Sequence, residues 1–148
     1  MGTTTRAAAR LVVVDVDGRV LLLRYDDPPP MGVHWATPGG GIEPGETERE
    51  AALRELGEET GWTELEVGEE LGRTQRVVER RAGPVVQDEV HLAVRLPDAQ
   101  RPLDEAGHGV DEIAGWAWLT RAEVAALDVP VWPRELPDLL ALLEPTTR

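Results

Sequence analysis

Residues 40–62 read GGIEPGETEREAALRELGEETGW. Gly40, Gly41, Pro44 and Gly45 make the start of this stretch a tight, irregular loop. Thr47 followed by Glu50 is a capping-box pair, and Gly61 stands where a left-handed glycine ends a helix. The spacing therefore predicts a helix over Thr47–Thr60. Ala52, Leu53, Leu56 and Thr60 recur on one side at helical spacing and form the expected packing face. Glu55, Glu58 and Glu59 span roughly 100° of arc away from it. Like charges at these separations cost an isolated helix about 0.2–0.5 kcal/mol per pair. A hard divalent cation turns that repulsion into a ligand set, because Mg²⁺ and Mn²⁺ prefer oxygen donors. The alternative is a solvated acidic helix face.

Upstream, Leu11–Val16 (LVVVDV) and Val20–Leu23 (VLLL) read as strands, with Asp17-Gly18 as the hairpin turn between them. Asp26–Met31 holds three consecutive prolines and is a loop. Trp35–Gly45 is punctuated by Pro and Gly and is expected to be irregular. Downstream, Leu65–Val78 contains a strand and Val85–Leu96 alternates as another. Pro97–Val110 is a polar loop, and Ile113–Leu119 a short strand carrying Trp116 and Trp118. Arg121–Leu127 and Arg134–Leu143 read as helices separated by Pro130 and Pro133. Strands precede, separate and follow helices, so the class is α/β or α+β with a mixed sheet, in one domain over residues 1–148.

The composition removes several chemistries. The 148 residues include no Cys, Lys, Ser, Asn or Phe. Ser–His–Asp and Cys–His acyl transfer are excluded, as are a Schiff-base lysine and a P-loop lysine. Carboxylates, arginines, three histidines and five tryptophans remain, a set suited to metal-assisted chemistry or binding. Asp and Glu number 28 against 15 basic residues, a net charge of −13. Such a surface repels phosphate backbones and anionic lipid, so neither nucleic acid nor membrane is an expected partner. No apolar run approaches the ~18 residues of a membrane span, and Met1–Arg10 shows no signal-peptide pattern, so a cytoplasmic location is expected.

The 40–62 stretch spells Gly40, five residues, Glu46, seven residues, Arg54-Glu55-Leu56, one residue, Glu58-Glu59, one residue, Gly61-Trp62. It resembles the Nudix box, G-x5-E-x7-R-E-U-x-E-E-x-G-U with U a bulky apolar residue, at every fixed position. Trp62 departs mildly, since U is more often aliphatic. WATPGG before the box, the Asp17-Gly18 hairpin with LLLR, and GWAWLTRAEV are similar to common flanks of that family.

The resemblance implies an α/β/α sandwich around a mixed sheet, with the box as a loop–helix–loop metal site. It implies hydrolysis of a nucleoside diphosphate linked to another moiety, with Mg²⁺ or Mn²⁺ as cofactor. Glu55, Glu58 and Glu59 would be the metal carboxylates, and the Gly39 carbonyl would complete the site. Arg54 would hold a box carboxylate, Glu46 or a neighbour. The general base varies within such families: a residue at the position of Glu55, or an acid on a distant loop. Glu58 is included in the catalytic set, and Glu105, Asp111 and Glu112 are the loop candidates, with Glu112 preferred. Gly40 and Arg24 are assigned to the substrate, Arg24 because the end of its strand is expected to face the box. Arg73, Arg76, Arg80 and Arg81 form a basic segment that either lines the cleft or is solvated. Tyr25, Trp35, Trp116, Trp118 and Trp132 are the aromatics available for stacking, with Trp35 and Trp118 expected in the core.

Substrate markers of known subgroups are missing. A proline marking ADP-ribose hydrolases would fall near Val77 or Val78, whereas the nearest is Pro84; a tyrosine marking dinucleoside polyphosphate hydrolases would fall near Arg80. The resemblance leaves a nucleotide sugar such as ADP-ribose and a (d)NTP, oxidised forms included, as equal expectations. A noncatalytic nucleotide sensor is the alternative, and a homodimer is admitted by resemblance alone. An RNA 5′-end pyrophosphohydrolase is disfavoured by the net charge.

Overall fold

A computed structural model describes residues 4–29, 31–104 and 113–143. Its strands are β1 (Thr4–Val14), β2 (Val20–Asp26), β3 (Val33–Ala36), β4 (Gly39–Gly41), β5 (Glu70–Arg80), β6 (Gly83–Arg95), β7 (Gly115–Leu119) and β8 (Val131–Trp132). The helices are α1 (Glu48–Thr60), α2 (Arg121–Ala126) and α3 (Leu136–Ala141). The strands form one mixed sheet in the order β5-β6-β1-β2-β3-β8; β4 pairs with β1 and β7 with β2. The β1–β6 and β3–β8 pairs are parallel.

Side chains alternate across a strand, so an apolar run such as β1 buries residues on both faces. Ala9, Leu11 and Val13 join Leu21, Leu23, Val90, Leu92 and the α1 residues Ala51, Ala52 and Leu56 in one core. Val12, Val14, Val20 and Leu22 pack on the other face with Val124 of α2 and Leu136, Leu139 and Leu140 of α3. The sheet is thus held between α1 on one side and α2 with α3 on the other, the layered α/β arrangement expected from the sequence.

The Asp17-Gly18 turn forms as read: Gly18 has φ +82° and the Asp15 N–H donates to the Arg19 carbonyl. Asp15 closes it by accepting from the Asp17 and Arg19 N–H groups. Several boundaries differ. β1 begins seven residues earlier than Leu11, because parallel pairing with β6 in continuous register supplies hydrogen bonds that local composition does not advertise. The expected irregular loop 35–45 contains β4, three glycines laid against Ala8, Ala9 and Arg10. Between Pro130 and Pro133, β8 pairs with Trp35 and Ala36; α3 is correspondingly shorter than Arg134–Leu143.

On α1 the Thr47 and Glu50 side chains cap each other's backbone N–H groups, and Gly61 closes the helix at φ +83°. The packing face is displaced from the expected one. Leu53 is 42% exposed, whereas Glu59 is 2% exposed. Ala52, Leu56 and Glu59 are spaced four and three residues apart and share a line down the helix, while Leu53 sits about 100° around from Ala52. One of the three carboxylates therefore lies on the buried face and not opposite it.

The departure at Trp62 also has a structural reason. Its ring stacks on Trp118 at 6.2 Å with the Arg101 guanidinium 5.3 Å from its centroid, and its Nε1–H donates to the Pro102 carbonyl at 3.3 Å. Trp118 Nε1–H donates to the Arg101 carbonyl, and the Asp104 N–H to the Thr60 carbonyl. An indole at the end of α1 thus ties the 101–104 segment to the helix, which an aliphatic side chain has no donor to do.

Candidate active site

The loop before α1 and the helix itself place the carboxylates. Glu59 reaches from the buried face of α1 to β4, where its Oε1 accepts the Gly39 N–H at 2.8 Å. Gly39 has φ +144°, and a Cβ there would meet the Ala9 carbonyl oxygen at 2.3 Å and Arg10 Cα at 2.7 Å. Only glycine fits so close to β1. At Gly40 a Cβ would lie 2.5 Å from Glu55 Oε1. Glu55 and Glu59 therefore flank the Gly39–Gly40 backbone.

Arg54 organises the neighbouring acids. Its Nε and Nη2 donate to Glu46 at 2.7 and 2.9 Å, its Nη1 to Glu55 at 2.9 Å, and its Nη2 also to the Gly41 carbonyl at 3.0 Å. Glu58 is the outer partner, 3.5 Å away with a side chain 41% exposed. The fork on Glu46 holds that carboxyl down at about 2, chiefly through the Arg54 hydrogen bond and further through a backbone hydrogen bond; in return Glu46, with Glu55 and Glu43, raises the Arg54 pKa. The two ends of the box are joined by this one guanidinium, a planar donor set that lysine does not reproduce.

Beside these carboxylates is an open cleft of about 400 Å³ that takes in Glu55, Glu59, Gly39 and Gly40 together with Arg6, Arg10, Arg76, Tyr25, His34 and Trp132. Behind it, Glu89, with a side chain 2% exposed, accepts from Arg10 Nε at 3.2 Å and Gln87, with Arg76 Nε 3.4 Å away. Burial would raise the Glu89 pKa, but Arg10, Gln87 and Arg76 outweigh it and leave it lowered. Burial lowers the Arg76 pKa, and its guanidinium lies 5.0 Å from the Trp132 ring, with Arg134 at 4.8 Å. Among the described residues Trp132 Nε1 is buried without a hydrogen-bond partner, and Arg76 Nε has the Glu89 carboxylate at 3.4 Å. Tyr25 and His34, cross-strand partners stacked at 5.4 Å, also line the cleft.

Arg24 is not at this site. Leu21, Leu23 and Tyr25 point toward α1, so the alternation of β2 sends Leu22, Arg24 and Asp26 to the other face. There Arg24 pairs with Asp26 at 2.9 and 3.0 Å. The neighbouring Tyr25 takes the place in the cleft, and Arg6 and Arg10 on β1 supply guanidinium groups that the sequence reading passed over. Of the basic segment, Arg76 faces the cleft, whereas Arg73 pairs with Glu48 and Glu70 on the surface beside α1. Trp35 and Trp118 pack the two cores as expected, and Trp116 packs beside Trp118's cluster. Glu105, Asp111 and Glu112 lie outside the described residues.

The donor set is all oxygen, with two carboxylates and a glycine carbonyl in one cleft, and suits a hard divalent ion that keeps several of its waters. Among the described residues no three acidic or histidine side chains converge on a single point. Glu58 is the member that stands apart, drawn toward Arg54 at the rim.

Comparison with known proteins shows the family. The family model of the NUDIX domain matches residues 4–140. The RNA pyrophosphohydrolase of Erythrobacter litoralis is 30% identical, over 84% of this chain and 82% of its own length. The CTP pyrophosphohydrolase of Escherichia coli is 32% identical, over 88% and 87%. The Putative 8-oxo-dGTP diphosphatase of Bacillus subtilis is 31% identical, over 88% and 76%. Among solved structures, the E. coli dihydroneopterin triphosphate pyrophosphohydrolase shares the fold with a TM-score of 0.73 at 21% identity, over 95% of this chain and 97% of that one. The box, the glycine-lined strand against which it packs and the match along nearly the whole chain place this protein in the Nudix family.

Proposed function

We propose that this chain is a divalent-metal-dependent pyrophosphohydrolase of small nucleotides, breaking a phosphoanhydride bond by attack of water on phosphorus. The observation that carries the reading is the sharing of one cleft by Glu55, Glu59 and the Gly39–Gly40 backbone with the guanidinium groups of Arg6, Arg10 and Arg76. Carboxylates alone would repel a pyrophosphate; arginines alone would bind it without activating water. Together they suit an anion delivered with its metal.

In this reading Glu59, Glu55 and the Gly39 carbonyl hold the ion, with Glu58 joining from the rim. When bound, Mg²⁺ or Mn²⁺ neutralises charge at the phosphoryl group and lowers the pKa of water. Glu55, beside the Gly40 backbone, would take the proton of the attacking water. Arg54 keeps Glu55 in place through its 2.9 Å hydrogen bond, and Gly40 lets substrate approach that carboxylate. The nucleobase is assigned to the side of the cleft lined by Tyr25 and His34.

The relatives named for CTP and 8-oxo-dGTP support the (d)NTP class over the nucleotide sugars. Those named RNA pyrophosphohydrolase keep a 5′-triphosphorylated RNA in the comparison despite the net charge of −13. The test is product formation from dNTPs and NTPs, oxidised dNTPs, ADP-ribose, dinucleoside polyphosphates and a short 5′-triphosphate RNA, with Mg²⁺ or Mn²⁺ and an EDTA control. Metal-dependent cleavage of a nucleoside triphosphate is expected. Ligand binding without turnover across the set would replace the hydrolase by a nucleotide sensor.

A further inference from the structure

We infer that Arg10 is a positioning residue that aims the Gly39 carbonyl at the metal site, an inference that rests on the metal reading above. Arg10 and Gly39 are direct partners in the β1–β4 register. Arg10 Nη1 donates to the Gly39 carbonyl at 3.2 Å. Its Nε donates to Glu89, whose side chain is 2% exposed and is itself held by Gln87. The guanidinium is therefore fixed from behind before it touches the glycine.

The need for such a device follows from Gly39 itself. A glycine has the widest backbone freedom of any residue, and its carbonyl direction is set by its neighbours alone. At Gly39 the N–H is gripped by Glu59 at 2.8 Å and the carbonyl by Arg10, so both halves of the residue are pinned. A carbonyl oxygen has two acceptor positions; one hydrogen bond to Arg10 leaves the other for a cation. The positive charge of Arg10 would oppose a divalent ion nearby, and Glu89 offsets it. Glu89 also faces Arg76 at 3.4 Å, so it offsets the charge of Arg10 in part. The link runs across the molecule, from residue 10 to residue 89, and lies wholly outside the box.

The test reads metal binding without substrate. Mn²⁺ affinity is measured by the electron paramagnetic resonance signal of free Mn²⁺ for the wild type, Arg10→Met, Glu89→Gln and Glu59→Gln, with a thermal melt in EDTA for each. Methionine keeps the stem that packs on Gly39 and removes the donors. Arg10→Met is expected to weaken Mn²⁺ binding about tenfold, with a folded apo-protein. Glu89→Gln, which unanchors Arg10 and leaves its charge uncompensated, is expected to weaken it in the same direction and gives the answer should Arg10→Met not fold. Wild-type affinity in both variants, with binding abolished by Glu59→Gln, overturns the role of Arg10 and leaves the metal site standing. No Mn²⁺ binding by the wild type overturns the metal reading and this inference together.

Discussion

The backbone N–H of Gly39 donates to the buried Oε1 of Glu59 at 2.8 Å, joining β4 to the packed face of α1. A carboxylate 2% exposed would be costly without partners. Here it sits at the floor of the cleft, and the neighbouring residue Gly40 touches Glu55. The metal-binding candidates are thus built into the core of the fold, with only Glu58 at the rim.

Glu58 and Glu59 are expected to fail differently when made Gln. Each should lower kcat by roughly 100-fold. Glu59→Gln should also abolish Mn²⁺ binding, whereas Glu58→Gln, altered at the exposed rim, should weaken it and leave the apo melting temperature unchanged. Rate assays with equilibrium Mn²⁺ titration check this. Wild-type rates in both variants would remove the metal assignment.

Two glycines give a paired test. Gly40→Ala places a methyl 2.5 Å from Glu55 Oε1, so activity should fall sharply with little change in stability. Gly57→Ala, in mid-helix with its nearest neighbour at 3.7 Å, should raise stability by about 0.5–1 kcal/mol and leave activity alone. Urea denaturation and turnover measured side by side separate the two. Equal loss of activity in both would show that the contact at Gly40 is not what matters.

Acid is expected to destabilise the fold in two stages. Burial lowers the His91 pKa below its ordinary 6.5, so the unfolded chain takes up that proton first and stability declines as pH falls through 6.5. Glu46 is held at about 2 against an ordinary 4.5, mainly by its Arg54 hydrogen bond. Its contribution is complete above pH 4.5 and is lost as pH falls toward 2. Chemical denaturation across pH 7 to 2 should show the second decline in the wild type and a shallower one in Arg54→Met. An unchanged slope in that variant would sink the Glu46 assignment.

Trp62→Leu restores the commoner aliphatic character at the end of the box. It removes the hydrogen bond to Pro102 and the stack on Trp118. A loss of about 2 kcal/mol is expected, with Mn²⁺ affinity kept, because Trp62 lies away from the cleft. Denaturant midpoints check the first part and Mn²⁺ titration the second. Full wild-type stability would mean that the 101–104 segment is held without the indole.

The box helix and its caps were legible in the sequence because they are local, and the resemblance added that Arg54 would hold Glu46 or a neighbouring carboxylate. Residues 55, 58 and 59 share one arc of a single helix, and spacing determines such neighbours. The strand over Val20–Leu23 was legible as well, but which face of it meets α1 was not. Alternation assigns Arg24 and Tyr25 to opposite sides without saying which side holds the site, and packing of the sheet chose Tyr25. Arg10 meets Glu89 only through the pairing of β1 with β6, and Trp132 meets Arg76 although their strands, β8 and β5, stand at opposite ends of the strand order. The sequence by itself determined the carboxylates and the helix that carries them. The tertiary structure alone decided which cations and aromatics face them, because side-chain period is a local property of the chain, whereas register and the facing of a sheet are fixed by pairing between distant strands.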